Sequence, residues 1–247
     1  MRPFFCLLLL CSLALHAESV YTTFDVEALQ RSDLTLTSTG VIETLNVDVG
    51  DRVKKGEVLL HLDNRDLQLS VELARAELKR AEIEHRFAKQ TFERYDKVRD
   101  VIDDDLYERY LQAFEQSGAA LSAAKASLAY REALLAKSIL RAPFDGVVAE
   151  RHKDVGDGVS GAMLEPILTL IGAPKVKLLL RFDEKYWLRV KAGDRVTYRV
   201  DGSDATYSGT VAKIHPTVDP KSRKATAELY TEGLMPGLFG EGTIEVE

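Results

Sequence analysis

From Leu67 to Tyr95 apolar positions recur at alternating spacings of four and three: Leu67, Val71, Ala74, Leu78, Ala81, His85, Ala88, Phe92 and Tyr95. Eight of these nine are apolar or aromatic. A seven-residue repeat keeps one narrow stripe of a helix facing a partner helix. The positions between are mostly charged, among them Glu72, Arg75, Glu77, Lys79 and Arg80, so this helix has no globular core around it and projects into water. A second, weaker stripe follows at Tyr110, Phe114, Ser117, Leu121, Ala124, Leu128 and Leu135, broken at Arg131. Interspersed alanines, such as Ala119, Ala123, Ala126 and Ala133, add helix propensity and allow close approach. Residues 64–138 therefore read as two helices folded back on one another at Ile102-Asp103-Asp104-Asp105. Each arm is about 50–55 Å long at 1.5 Å per residue. A coiled-coil spacer or a dimerisation helix would carry the same pattern.

The flanks have a different period. Residues 40–63 contain short β-type runs, Val41–Ile42, Leu45–Val49 and Val58–Leu62, separated by Gly-Asp and Lys-Lys-Gly turns. Asp63 or Asn64 is placed to cap the helix that follows. After Ser138, Pro143 cannot sit inside a continuing helix. The next stretch repeats the first: Gly146-Val-Val opens it as Gly40-Val-Ile did, and Val155-Gly-Asp-Gly-Val159 mirrors Val49-Gly-Asp-Arg-Val53 at the same ten-residue offset. Ile167-Leu-Thr-Leu170 mirrors Leu59-Leu-His-Leu62 with two extra residues before it. The helices are thus an insertion between two copies of one half-motif, and each copy can bury its apolar face only against the other. Residues 173–247 hold many short strand signals with Gly and Asp turns, which suggest a small barrel or sandwich. Leu34-Thr-Leu-Thr37 alternates and is expected to join it.

Residues 1–17 change the compartment. Arg2 precedes an apolar run from Phe4 to Leu15, and Leu15-His16-Ala17 suits a signal peptidase, so residues 1–17 read as a secretory signal with Glu18 as the mature start. At about 12 residues the run is short of the roughly 20 that span a bilayer; an uncleaved anchor is the alternative. Both cysteines, Cys6 and Cys11, lie inside it. The remainder has no disulfide framework, thiol nucleophile or cysteine metal site. The net charge of −6 argues against nucleic acid as a partner and shows no polybasic run.

Catalytic and metal motifs are not found. His61, His85, His152 and His215 are not at ligand spacing, and nothing matches a zinc-protease or nucleophile-elbow pattern. Asp103, Asp104 and Asp105 suit the positive end of a helix rather than a calcium loop, which needs spaced ligands and a late Glu. The chain is read as not an enzyme, with no catalytic residue, metal or cofactor.

Three motifs in this order resemble the periplasmic adaptor subunits (membrane fusion proteins) of tripartite efflux pumps, the hemolysin D family with its RND-pump adaptors. They are Gly40–Asp63, a lipoyl-like half; Ile139-Leu-Arg-Ala-Pro-Phe-Asp-Gly-Val-Val148, the strand that re-enters that domain; and Gly209–Pro216 with Leu234–Phe239, which look like the adaptor barrel. The resemblance implies an elongated α+β multi-domain protein. A long antiparallel α-helical coiled-coil hairpin is inserted in a split lipoyl-like β-sandwich, followed by a small β-barrel. Its expected parts are a signal peptide (1–17), an N-terminal segment with a strand joining the barrel (18–39), lipoyl-like half 1 (40–63), hairpin (64–138), lipoyl-like half 2 (139–172) and barrel (173–247). The family's membrane-proximal domain is expected to be absent. True lipoyl carriers display a lysine between Asp and a small residue; Leu62-Asp-Asn-Arg65 has none, so no cofactor is expected. The implied partners are an inner-membrane transporter, RND type or alternatively ABC type, a TolC-type outer-membrane channel, and further copies of the chain, in the periplasm. A coiled-coil scaffold without transport partners is the other class. The hairpin tip, Arg94, Val98, Ile102, Asp103, Leu106 and Tyr107, is the expected channel contact. Arg94-Tyr-Asp-Lys-Val98 resembles the tip of RND-pump adaptors, although the turn is two residues shorter.

Overall fold

A computed structural model describes residues 18–246; the expected signal segment lies outside them. In chain order the first strands are β1 (Glu18–Ala28), β2 (Arg31–Leu34), β3 (Gly40–Leu45), β4 (Arg52–Val53) and β5 (Val58–Leu62), followed by helices α1 (Arg65–Asp96) and α2 (Asp104–Ala136). Then come β6 (Ile139–Arg141), β7 (Gly146–Arg151), β8 (Gly158–Val159) and β9 (Leu168–Gly172). The last six are β10 (Lys175–Asp183), β11 (Arg195–Val200), β12 (Thr206–Thr210), β13 (Lys213–Asp219), β14 (Lys224–Glu232) and β15 (Phe239–Val246). The described residues divide into two compact units, one of residues 18–31 together with 171–246, the other Ser32–Leu170.

The second unit is built on two four-stranded sheets, β2-β9-β7-β4 and β6-β5-β3-β8. The sequence repeat appears in them as an exchange. β4, from the first copy, pairs with β7 of the second (Arg52↔Val147, Val53↔Gly146), and β8 pairs with β3 (Gly40↔Val159, Val41↔Gly158). The turns follow suit: Gly50 N–H donates to Val148 O at 2.9 Å, and Gly156 N–H to Ile42 O at 2.9 Å. Both glycines sit at φ +93°, a left-handed conformation that a side chain would strain. Between the sheets lies one core that includes Ile42, Leu60, Leu62, Val148, Leu168 and Leu170.

The strand expected at Leu34–Thr37 is corrected in bounds and in sheet: the strand is β2, Arg31–Leu34, and Thr35–Thr37 lie outside it. The strand that enters the seven-stranded sheet is β1, while Leu34 and Leu36 are buried in the core of the second unit. The reason is an open edge. β9 needs a neighbour as β5 has β6, and Ile167 N–H donates to Leu34 O at 2.8 Å.

α1 and α2 pack antiparallel. Every one of the nine α1 seam positions is buried or half-buried, and the seven of α2 are half-buried. The bases of the helices are tied to the sheets. Asn64 is buried, its Nδ2 donates to Ser138 Oγ at 3.1 Å, and its Oδ1 accepts from Gln68 Nε2 at 2.6 Å. Asn64 occupies the cap position without a side-chain cap bond, because its amide is spent on Ser138 and Gln68. Leu62 N–H donates to Ser138 O at 2.9 Å, so the two ends of the insertion are neighbours.

The first unit is a seven-stranded antiparallel sheet, β12-β11-β15-β1-β10-β14-β13. Val20, Phe24 and Val26 alternate inward from β1 against Leu178, Leu180 and Phe182 of β10. The sheet curls until β12 meets β14: a Cβ at Gly209 would stand 2.7 Å from Leu229 Cδ1, so the close approach needs glycine. On β14 the buried Glu228 carboxylate takes bonds from His215 Nε2 (2.8 Å), Tyr230 OH (2.8 Å) and Lys213 Nζ (3.1 Å). Burial alone would raise its pKa, but bonds from His215, Tyr230 and Lys213 outweigh burial and lower it to about 2.

Two outcomes are expected. Replacing residues 66–136 by a short Gly-Ser linker should leave a cooperatively melting β structure, because the ends already meet at Leu62–Ser138; a non-cooperative thermal transition would count against this. Glu228 has a lower pKa folded than unfolded, so its stabilisation is present above the ordinary carboxylate pKa and is lost as pH falls from about 4.5 toward 2. Glu228→Gln should flatten that acid limb and cost on the order of 1 kcal/mol at neutral pH, because Lys213 and His215 are partly open to water and the amide keeps part of the bonding, read by denaturant titration across pH.

Candidate docking site at the helix tip

The tip is assembled from the last turn of α1, a 3-10 turn at Arg99–Val101 and the first turn of α2. Ile102 is extended and half-buried, which lets the chain reverse without a glycine. Asp103 caps α2: its side chain accepts from Asp105 N–H at 3.0 Å, and its carbonyl accepts from Tyr107 N–H at 3.1 Å. Asp104 and Asp105 occupy the first turn, where the helix dipole favours negative charge.

Aromatic rings lock the two arms below this turn. Tyr95 and Tyr110 stack with centroids 4.0 Å apart, and Phe92 and Phe114 stack at 5.2 Å. Phe92 also meets Tyr107 at 5.7 Å, and His85 continues the stack onto Phe114 at 5.3 Å. Ser117 Oγ donates to Phe114 O at 2.7 Å, so His85 Nδ1 is the donor in its 3.0 Å bond to Ser117 Oγ. The bond to Tyr95 raises the Tyr110 pKa, with burial adding to it. Tyr107 is raised by burial and by the 3.1 Å bond it donates to Asp96.

The six residues expected to form a channel contact are not equivalent. Arg94 lies on the outer side of α1, bonding Gln90 O and Thr91 Oγ1 of its own helix at 3.3 and 3.2 Å. With Thr91, Tyr95, Val98 and Tyr110 it lines a shallow cleft of about 360 Å³. Val98 is 42% exposed, Ile102 and Leu106 are half-buried, Asp103 is a cap, and Tyr107 belongs to the ring stack. Two further residues complete the surface. Val101 is 81% exposed at the apex. Arg99 stands over the Tyr107 ring at 4.3 Å and pairs with Asp104 at 2.5 Å, tying the turn to α2. An arginine set ahead of Asp103-Asp104-Asp105 in the turn is the signal that marks it. Among the described residues no group of three His, Cys, Asp or Glu side chains is placed to hold a metal ion, and no helix is long and apolar enough to cross a membrane.

The profile of the CzcB-like, barrel-sandwich hybrid domain matches residues 32–163, more than half the chain. The chain belongs to the CzcB-like barrel-sandwich hybrid family. The resemblance to periplasmic adaptor, or membrane fusion, proteins carried by the Gly40 and Ile139 motifs therefore holds. The matched span contains the exchanged repeat up to Met163 and both helices. The cobalt-zinc-cadmium resistance protein CzcB of Cupriavidus metallidurans is 28% identical over 216 residues, 81% of this chain and 39% of its own length. The macrolide export protein MacA of Escherichia coli O157:H7 is 25% identical over 218 residues, 81% of this chain and 59% of its length. The chain thus spans less than two thirds of either relative. Among solved structures, the membrane fusion protein Spr0693 of Streptococcus pneumoniae R6 superposes with a TM-score of 0.71 at 15% identity. That match covers 92% of this chain and 98% of the other, and speaks for the fold alone.

Removing the cap tests the local geometry. Asp103→Ala should cost about 1 kcal/mol of local helix stability. Amide exchange should speed up in the first turn of α2 and leave the β-sheet amides unchanged, as read by hydrogen–deuterium exchange.

Proposed function

We propose that this protein is a periplasmic adaptor that links an inner-membrane transporter to a TolC-type outer-membrane channel for efflux, without catalysis of its own. The observation that carries the reading is the order of parts. A two-copy β unit is interrupted by an antiparallel helix pair about 50 Å long, so the tip can reach a partner far from the sheets. The parts are assigned as above: exported through residues 1–17, lipoyl-like halves at 40–63 and 139–172, hairpin at 64–138 and barrel at 173–247. Residues 18–39 carry the strand that joins the barrel.

The tip supports a docking role because apolar Val98 and Val101 stay exposed there among Arg94, Arg99 and Asp104. The helix flanks support assembly of several copies. Leu69, Leu73, Ile83 and Phe87 form an exposed stripe on α1, displaced from the seam, while α2 presents alanines. An RND-type transporter is the favoured inner-membrane partner, on the Arg94–Val98 tip pattern. An ABC-type exporter is the second reading, since relatives named for metal resistance and for macrolide export match at 28% and 25% identity and do not choose between them.

Arg94→Asp and Ile102→Asp, made separately, test the tip. Both should remain folded and exported, since Arg94 bonds only its own helix and Ile102 lies in the turn. Each should lower crosslinking to the channel about tenfold or more, the effect of roughly 1.4 kcal/mol at a contact, with a parallel loss of efflux-dependent resistance. Full crosslinking and full resistance in both variants would remove the docking claim.

A further inference from the structure

One end of the first unit carries an exposed apolar pair that its own fold forces outward. After β10, Asp183 Oδ1 accepts from Lys185 N–H at 3.0 Å and starts a 3-10 turn at Glu184–Tyr186. Val190 N–H then donates to Tyr186 O at 3.0 Å, so Tyr186 and Val190 share one side of a helical turn. Both pack on the core of the unit. Trp187 and Leu188, between them, are therefore directed away from it and are 58% and 68% exposed. Beside them lies the loop between β13 and β14, joined by Glu184 N–H donating to Arg223 O at 3.1 Å.

The charge around this pair is sorted. Residues 185–191 hold Lys185, Arg189 and Lys191; residues 220–224 hold Lys221, Arg223 and Lys224; neither stretch contains a carboxylate, in a chain of net charge −6. The acids are at the loop ends and face backbone. Asp194 accepts from Lys191 N–H at 2.7 Å, and Asp219 from Lys221 N–H at 2.9 Å. Arg189 is ion-paired with Glu18, and Glu184 is partly covered.

We propose that this end docks on an anionic phospholipid surface, with Trp187 and Leu188 entering the headgroup boundary and Lys185, Lys191, Lys221 and Arg223 meeting lipid phosphates. A tryptophan beside a leucine, ringed by cations, matches the chemistry of that boundary: the indole ring is apolar with one N–H donor, and the cations complement the lipid charge. Which bilayer it meets rests on the adaptor reading; the contact itself does not.

Trp187 is the one tryptophan in the sequence, so its fluorescence reports on the loop directly. The purified full chain is titrated with vesicles of phosphatidylglycerol, or of phosphatidylcholine alone, and with phosphatidylglycerol vesicles carrying brominated acyl chains. Phosphatidylglycerol should shift the emission to the blue, brominated chains should quench it, and phosphatidylcholine should do little. Leu188→Asp keeps the reporter and, lying on the surface, keeps the fold; it should abolish the shift. Lys221→Glu with Arg223→Glu should weaken vesicle binding roughly tenfold or more. No shift with phosphatidylglycerol overturns the proposal and leaves an acidic protein surface as the occupant. An equal response to both lipids, or a shift unchanged in Leu188→Asp, overturns it as well. Because binding is read on the isolated protein, its failure leaves the adaptor reading standing, and failure of the tip variants leaves this contact standing.

Discussion

The exchange of short strands between the two repeat copies is the constraint on which the second unit depends. β4 and β8 have only two residues each, too few to hold a sheet by local pairing. Each is held because its turn glycine donates to the opposite copy, Gly50 to Val148 and Gly156 to Ile42. The apolar faces then close on one core, with Ile42 and Leu62 from one copy against Val148 and Leu168 from the other. Neither copy has a complete set of partners alone. Any chain between them must therefore leave and return at neighbouring points, and the Leu62–Ser138 and Asn64–Ser138 bonds are where it does so.

That geometry governs what the inserted helices can be. Their sole apolar burial is along one seam, and it narrows outward from Val71, Ala74 and Ala81, the buried positions of α1. Further out the seam is only half-buried, and rings replace aliphatic side chains: Phe92 on Phe114, Tyr95 on Tyr110. Stacked rings cover large areas at low conformational cost, which suits a two-helix rod with no third element to pack against. At the apex the same economy fails. A turn of seven residues between α1 and α2 cannot enclose Val98 and Val101, and Arg99 braces it through Asp104 and Tyr107 instead.

The first unit solves its edge problem differently. Its sheet curls until the end strand β12 approaches β14 through Gly209 and Leu229, and its buried carboxylate, Glu228, is held by three donors rather than left alone. Its β10–β11 loop then exposes Trp187, because the helical turn there can aim only Tyr186 and Val190 inward.

Periodicity by itself determined the helices. The 4-3 spacing from Leu67 to Tyr95 names the buried face of α1 residue by residue, since a helix in water can hide only one stripe. The repeat, with turn glycines at Gly50 and Gly156, was equally plain, as was the family it points to, because positive-φ turns and alternating strands leave letters in the chain. The motif order placed the tip residues together, but not their separate roles. That Asp103 caps, that Tyr107 stacks, and that Arg99 bridges depends on side chains from two helices meeting across the turn. Tertiary structure alone also decided which sheet each strand joined. Leu34-Thr-Leu-Thr37 and the β1 segment both alternate, and nothing local distinguishes them; the open edge of β9 took Arg31–Leu34, which leaves Thr35–Thr37 outside any strand, and the gap between β10 and β15 took β1. Strand partners are chosen by the edges available in the folded unit, which are far away in sequence and leave no mark on the strand itself.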